Sequence, residues 1–210
     1  MHIAILGSGD VGQALARGFR TLGHEVRIGS REGNKLAAFC AEANVTEGRF
    51  AEVIEGAELV VVSVKGGVAE ELVRSLASGL SGKVVIDTTN PISGPPKGGI
   101  VPYFTGAHES LLQRLMAAAP GARFVKCWNT ITAHLMVKPK LSGGTPVMFL
   151  CGDDAEAKAT VSELVRACGF APEDVGTSEA GHAVEALCQI WCAPGFLRND
   201  WSHAFALLRP

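Results

Sequence analysis

A doubly wound α/β fold, a mostly parallel sheet with a small helical C-terminal extension, is predicted by three features of this sequence. Short apolar runs of strand length alternate with amphipathic helical patterns along most of the 210 residues. Two of those runs, ELVVVSV and KVVID, are almost wholly apolar, as suits strands covered on both faces. A glycine-rich turn, Gly7-Ser8-Gly9-Asp10-Val11-Gly12, follows directly on the first run.

Strands are predicted over 2–6, 25–28, 58–63, 83–87, 123–127 and 147–151, with a further one near Val175. Between them, apolar residues recur at helical spacing. Val11, Leu15, Phe19 and Leu22 form one stripe, and Leu36, Phe39, Cys40 and Ala43 the next. Val68, Leu72 and Leu76 follow, then Leu111, Leu112, Leu115 and Met116. Val161, Leu164, Val165 and Cys168 mark another helix, and Val184, Leu187, Cys188 and Trp191 open the C-terminal segment. The stretch 93–107 is rich in proline and glycine and is expected to be a loop. It follows a strand's C-terminal end, the edge where open α/β sheets bind ligands, so a lid and a plain connection are both open readings.

The 47% hydrophobic and 19% charged content describes a well-buried globular chain. Its length suits one nucleotide-binding domain over 1–210, with 178–210 as a helical tail. A formal net charge of -2 supplies no general attraction to nucleic acid or an anionic membrane, so neither is expected as a partner. No run approaches the ~20 apolar residues of a membrane span, and the N-terminus reads as no signal peptide; a cytoplasmic protein is expected. The 6 cysteines form no CxxC pair and read as reduced core residues. Cys188 and Cys192 share a helix face with His182 but have no fourth ligand at a recognised spacing, and no metal is expected.

The spacing GxGxxG, placed between a strand and an amphipathic helix, is the fingerprint of Rossmann-type dinucleotide binding. Gly7 permits the tight turn, Gly9 lets the backbone approach a pyrophosphate, and Gly12 allows helix and strand to pack closely. Ser8, Asp10 and Val11 complete the turn and open the helix, whose N-terminus offers unpaired N–H donors. Asp10 there also complements the helix dipole. An NAD-selective domain ends its second strand on Asp or Glu, which binds the ribose and repels a 2′-phosphate. This chain instead runs from EVRI into Gly29, Ser30 and Arg31, with Lys35 a turn later, a hydroxyl and two cations that favour NADP(H). Two more strand ends face the same crevice: Ser63, Val64 and Lys65 after one, and Thr88, Thr89, Asn90 and Pro91 after the other.

The segments GSGDVGQALARGF, GHEVRIGSR, DTTNP, KCWNTITAHLM and CGDDAEAK together resemble the deazaflavin-dependent NADP oxidoreductase family, over residues 1 to about 177. The first part is also similar to the N-terminal domains of membrane ferric reductases, which use a flavin. The resemblance implies NADP(H) as cofactor, hydride exchange with the deazaflavin coenzyme F420 or a flavin as small-molecule acceptor, and a homodimer. It places Trp128, Asn129, Thr130 and Ile131 beside the second ring system, in a pocket closed by C-terminal residues around Trp191, Phe196 and Trp201. Trp128-Asn129 stands where well-studied deazaflavin reductases carry Leu-His. Two other functions are open at this point. Reduction of a small carbonyl or imine would need a proton donor, for which Tyr103, His108, Lys126 and His134 are candidates. A sensor would bind NADP(H) without catalysis.

Overall fold

The protein was studied as a computed structural model that describes residues 1–209. Among the described residues, eight strands and eight α-helices run in the order β1 (His2–Leu6), α1 (Asp10–Thr21), β2 (Glu25–Ser30), α2 (Ala37–Ala43), β3 (Thr46–Arg49), α3 (Phe50–Val53), β4 (Leu59–Val62) and α4 (Gly66–Ser75). They continue with α5 (Ala77–Leu80), β5 (Val84–Asp87), α6 (Leu111–Ala118), β6 (Arg123–Lys126), β7 (Val147–Leu150), α7 (Ala155–Ala167), β8 (Ala171–Asp174) and α8 (Gly181–Arg198).

Six strands form one parallel sheet in the order β3-β2-β1-β4-β5-β6, the doubly wound arrangement expected. Strand alternation divides the core between its two faces. Ile3 and Ile5 of β1, with Leu59 and Val61 of β4, meet Leu15 and Phe19 of α1 and Val161 and Val165 of α7. Ala4 and Leu6, with Val60 and Val62, turn the other way onto Val73 of α4 and Leu111 and Leu115 of α6. Each such buried aliphatic side chain contributes roughly 1.5–3 kcal/mol, which is why these runs admit almost no polar residue.

β3 was not among the predicted strands. Its sequence, TEGR, carries no apolar alternation, and it lies at the sheet edge with Thr46 and Arg49 exposed. Backbone pairing to β2 alone defines it. β7 and β8 form a separate parallel pair, with β8 ending just before Val175. An antiparallel bridge joins the pair to the main sheet: Lys126 N donates to Cys151 O at 2.9 Å, and Cys151 N to Lys126 O at 3.3 Å.

Local chemistry fixes the helix starts. Ser110 caps α6, its Oγ accepting from Gln113 N at 3.1 Å while Gln113 Oε1 accepts from Ser110 N at 3.2 Å. Asp154 caps α7 through Ala157 N at 2.7 Å. The 93–107 stretch is irregular, as expected, but braced: Ser93 N donates to Pro102 O and Phe104 N to Pro91 O, each at 2.9 Å. All six cysteines are free and buried, and burial pushes the thiols of Cys151 and Cys168 up to about 12. Among the described residues, no helix is long and apolar enough to cross a membrane.

Candidate functional site

The chain leaves β1 toward β2 and leaves β4 toward β5, so a crevice opens between the C-terminal ends of β1 and β4. The glycine turn forms one lip. Gly7 has a φ of 141°, and a Cβ there would strike the backbone and hydroxyl of Ser63. A Cβ on Gly12 would strike the Gly7 carbonyl. Both glycines therefore let α1 start tight against β1 and β4, with Ser63 Oγ beneath the turn donating to Leu6 O at 3.1 Å. Gly9 differs: it has extended backbone and nothing within 4 Å of an added Cβ. The open space above Gly9, at the N–H end of α1, is what a pyrophosphate needs. Gln13 steadies the turn by donating to Ser8 O at 2.9 Å.

A cavity of about 530 Å³ extends from this lip across the strand ends, lined among others by Val11, Ser63, Val64, Lys65, Thr89 and Asn90. The structure thus gathers most of the residues expected on these strand ends; Pro91 is buried beside them. Ile92, Ser93 and Gly94 form the far rim, so the proline-rich loop borders the cavity. Ser30 ends β2, which lies on the side of β1 away from β4, and Arg31 and Lys35 follow it. Ser30 is buried and its Oγ accepts from Gly33 N at 3.0 Å, whereas Arg31 and Lys35 are exposed.

Behind the cavity wall lies a charged group that the sequence reading missed as a unit. Lys126, at the end of β6, is wholly buried; its Nζ donates to Asp87 Oδ2 at 2.8 Å, to Glu185 Oε1 at 2.8 Å and to Thr89 O at 2.6 Å. Glu185 also accepts from the first N–H groups of α6, Leu111 at 3.0 Å and Leu112 at 3.1 Å. Asp87 Oδ1 holds Thr89 through its N at 2.9 Å and its Oγ1 at 2.6 Å. Burial opposes the Lys126 charge, but Asp87 and Glu185 outweigh it and raise the ammonium's pKa. A lysine inside the apolar run RFVKC was the available signal, since a charge in a covered strand demands a buried partner.

Asn129 sits beside this group, 5% exposed. Its Nδ2 donates to Asn90 Oδ1 at 3.1 Å and to Val184 O at 2.9 Å, and Asn90 Nδ2 returns a bond to Asn129 O at 2.9 Å. Asn129 therefore touches the cavity wall through Asn90.

The four residues expected beside the second ring, Trp128, Asn129, Thr130 and Ile131, are all buried. Trp128 does not offer a ring face to a ligand: it is fully buried at a φ of 58°, edge-on to Phe19 at 5.9 Å, with Nε1 donating to Met136 O at 3.2 Å. Thr130 and Ile131 are buried too. Trp191, Trp201 and Phe196 pack on one another instead, at 5.9 Å and 5.0 Å between ring centres. Of the three, Trp191 is buried by this packing, whereas Phe196 stays 44% exposed. The candidate proton donors are placed elsewhere as well. Lys126 is enclosed, Tyr103 donates to Glu185 O at 2.7 Å, and His108 and His134 are exposed away from the cavity lining.

The family profile described as NADP oxidoreductase, coenzyme F420-dependent, matches residues 2–91, which hold the glycine turn and both strand ends of the crevice. Over 201 residues the chain is 27% identical to the F420-dependent NADP reductase of Methanothermobacter marburgensis, covering 89% of each. The crystal structure of a protein assigned as an F420-dependent NADP-reductase, from Arthrobacter sp. FB24, superimposes over 100% of both chains with a TM-score of 0.92 and 31% identity. The chain belongs to the F420-dependent NADP oxidoreductase family. It is also 33% identical over 186 residues to the rat metalloreductase STEAP3, covering 88% of this chain but 36% of that protein. The chain thus spans about a third of that relative, whose similarity matches the resemblance to ferric reductases.

Proposed function

We propose that this protein is an NADP(H)-dependent oxidoreductase that moves a hydride between the nicotinamide and a deazaflavin or flavin acceptor. The observation that carries the reading is the crevice itself. An open phosphate seat at Gly9 leads into a roughly 530 Å³ cavity at the strand switch point, and β2 ends on Ser30 rather than an acidic residue, with Arg31 directly after it.

The chain's residues fit the cofactor. Backbone N–H groups of α1 would hold the pyrophosphate, Ser30, Arg31 and Lys35 the 2′-phosphate, and Ser63, Val64, Lys65 and Asn90 would flank the nicotinamide. Bound there, NADPH supplies the hydride. The protein's part is orientation, since two flat rings need their reacting carbons held within ~3–3.5 Å and little acid–base help. Asn90, braced by Asn129, and Thr89, braced by Lys126, give a rigid wall for that purpose. None of Tyr103, His108, Lys126 and His134 lines the cavity, which favours hydride transfer to a ring over carbonyl reduction with one of those four as proton donor.

We further infer one NADP(H)-binding domain whose tail, 178–210, backs the crevice through Val184 and Glu185. Pairing of two chains is part of the same reading: Ile190 and Leu197 of α8 are each 59% exposed, and Leu197 lies against Gly99, whose neighbour Ile100 is 43% exposed. Mixing the protein and NADPH with coenzyme F420, FMN, FAD, riboflavin and a panel of carbonyls and imines tests the proposal. Oxidation of NADPH with a deazaflavin or flavin is the expected result; oxidation only with the carbonyl or imine panel would contradict it.

A further inference from the structure

Beyond Ser30, Arg31 and Lys35, the fold brings another cation to the end of β2 from a strand that the sequence does not announce. Arg49 is the last residue of β3 and pairs in register with Ser30. Its side chain runs along the turn after Ser30: a Cβ on Gly33 would lie 2.9 Å from Arg49 Cγ and 3.0 Å from Arg49 N. Gly33, at a φ of 76°, thus opens room for the arginine stem while its N–H binds Ser30 Oγ at 3.0 Å. The turn and the arginine are built against each other.

The local carboxylates are largely engaged elsewhere. Glu47 Oε2 accepts from Leu36 N at 2.7 Å, and Glu52 Oε2 accepts from Arg49 N at 2.7 Å, while Glu32 on the turn faces solvent. Among the described residues, none of Arg31, Lys35 and Arg49 has a carboxylate within 4.0 Å of its side-chain nitrogens. With no carboxylate paired directly to them, these three cations, on the turn after Ser30 and at the end of β3, keep their side-chain donors free for an anionic ligand.

We propose that Arg49 is a specificity-determining residue that grips the same ribose 2′-phosphate from the β3 side, opposite Arg31. The proposal rests on the NADP(H) reading above. A guanidinium presents paired N–H donors to phosphate oxygens, so two arginines approaching from adjacent strand ends can engage different oxygens of one dianion. Removing one leaves the other, and the loss is partial rather than complete.

Calorimetric titration of the full-length chain with 2′,5′-ADP and with 5′-AMP tests this, because the two probes differ only in the 2′-phosphate. Arg49→Ala is expected to weaken 2′,5′-ADP about five- to tenfold, leave 5′-AMP unchanged, and fall below Arg49→Lys, which keeps the charge without the fork. An equal loss for both probes would mean that Arg49 serves the adenine or the fold and would overturn the proposal, as would no change for either. A wild-type chain that binds both probes alike would remove the NADP(H) reading and this inference with it. Retained preference in the wild type with no shift in Arg49→Ala would remove the inference alone.

Discussion

The ammonium of Lys126 lies 2.8 Å from the carboxylate of Glu185, both closed off from solvent, and this pair ties the last strand of the main sheet to the C-terminal helix. Asp87 on the opposite side of the ammonium and the α6 N–H groups on the carboxylate complete the charge balance. Lys126→Met would leave two buried carboxylates without their cation and is predicted to cost about 3–5 kcal/mol of unfolding free energy. The pKa of Lys126 is raised above its unfolded value of about 10.4, so its stabilisation is complete below that pH and is lost as pH rises through the folded value. Urea unfolding from neutral to alkaline pH should show that loss in the wild type, whereas Lys126→Met should lack it. An unchanged midpoint for the variant at neutral pH would mean that the pair does not carry the junction.

Two glycines one helical turn apart separate packing from binding. At Gly12 an added side chain meets the Gly7 carbonyl, so Gly12→Val is predicted to destabilise the fold. At Gly9 it meets only open space, so Gly9→Val should keep the wild-type melting temperature within a few degrees, about the scale of 1 kcal/mol or less, yet lose NADPH binding. A calorimetric titration showing retained NADPH affinity in Gly9→Val would place the phosphates elsewhere.

Arg31, exposed and free of any carboxylate partner among the described residues, is predicted to discriminate between the two nicotinamide cofactors. Arg31→Ala should lose roughly 1.5–3 kcal/mol of NADPH binding and leave NADH binding nearly as it was. Parallel losses for both cofactors would show that Arg31 supports the turn rather than the phosphate.

Asn129 and Asn90 clasp each other across the cavity wall, so their effects on turnover should not add. Either change to alanine is predicted to slow NADPH oxidation several-fold with little change in NADPH affinity, and the double variant should be no slower than the worse single one. Additive losses would show that the two residues act independently.

The sequence was most informative where one residue type answers one physical demand. Buried-strand runs such as LVVV and VVID fixed the sheet, and the glycine spacing fixed its switch point. The turn after β2 could be read from the missing acid. β3 was not legible because TEGR forms a strand through backbone pairing to a neighbour rather than through its own pattern. Arg49 went unseen with it. The Lys126–Glu185 pair joins residues 59 positions apart, and only the fold brings them together. Trp128 was misplaced because the end of β6 was correctly located while its side-chain direction was not. The positive φ at that residue turns the ring inward to Phe19 and leaves Asn129 to face Asn90.

The central claim is direct hydride transfer from the nicotinamide to a second ring at this crevice. It is tested most directly by reducing coenzyme F420 with NADPH carrying deuterium in the transferring position of the nicotinamide C4. Deuterium found on the carbon of the reduced deazaflavin, with slower transfer than from unlabelled NADPH, is the predicted result. Reduced deazaflavin that carries hydrogen from water, or no reduction of deazaflavin or flavin by NADPH at all, would contradict the account.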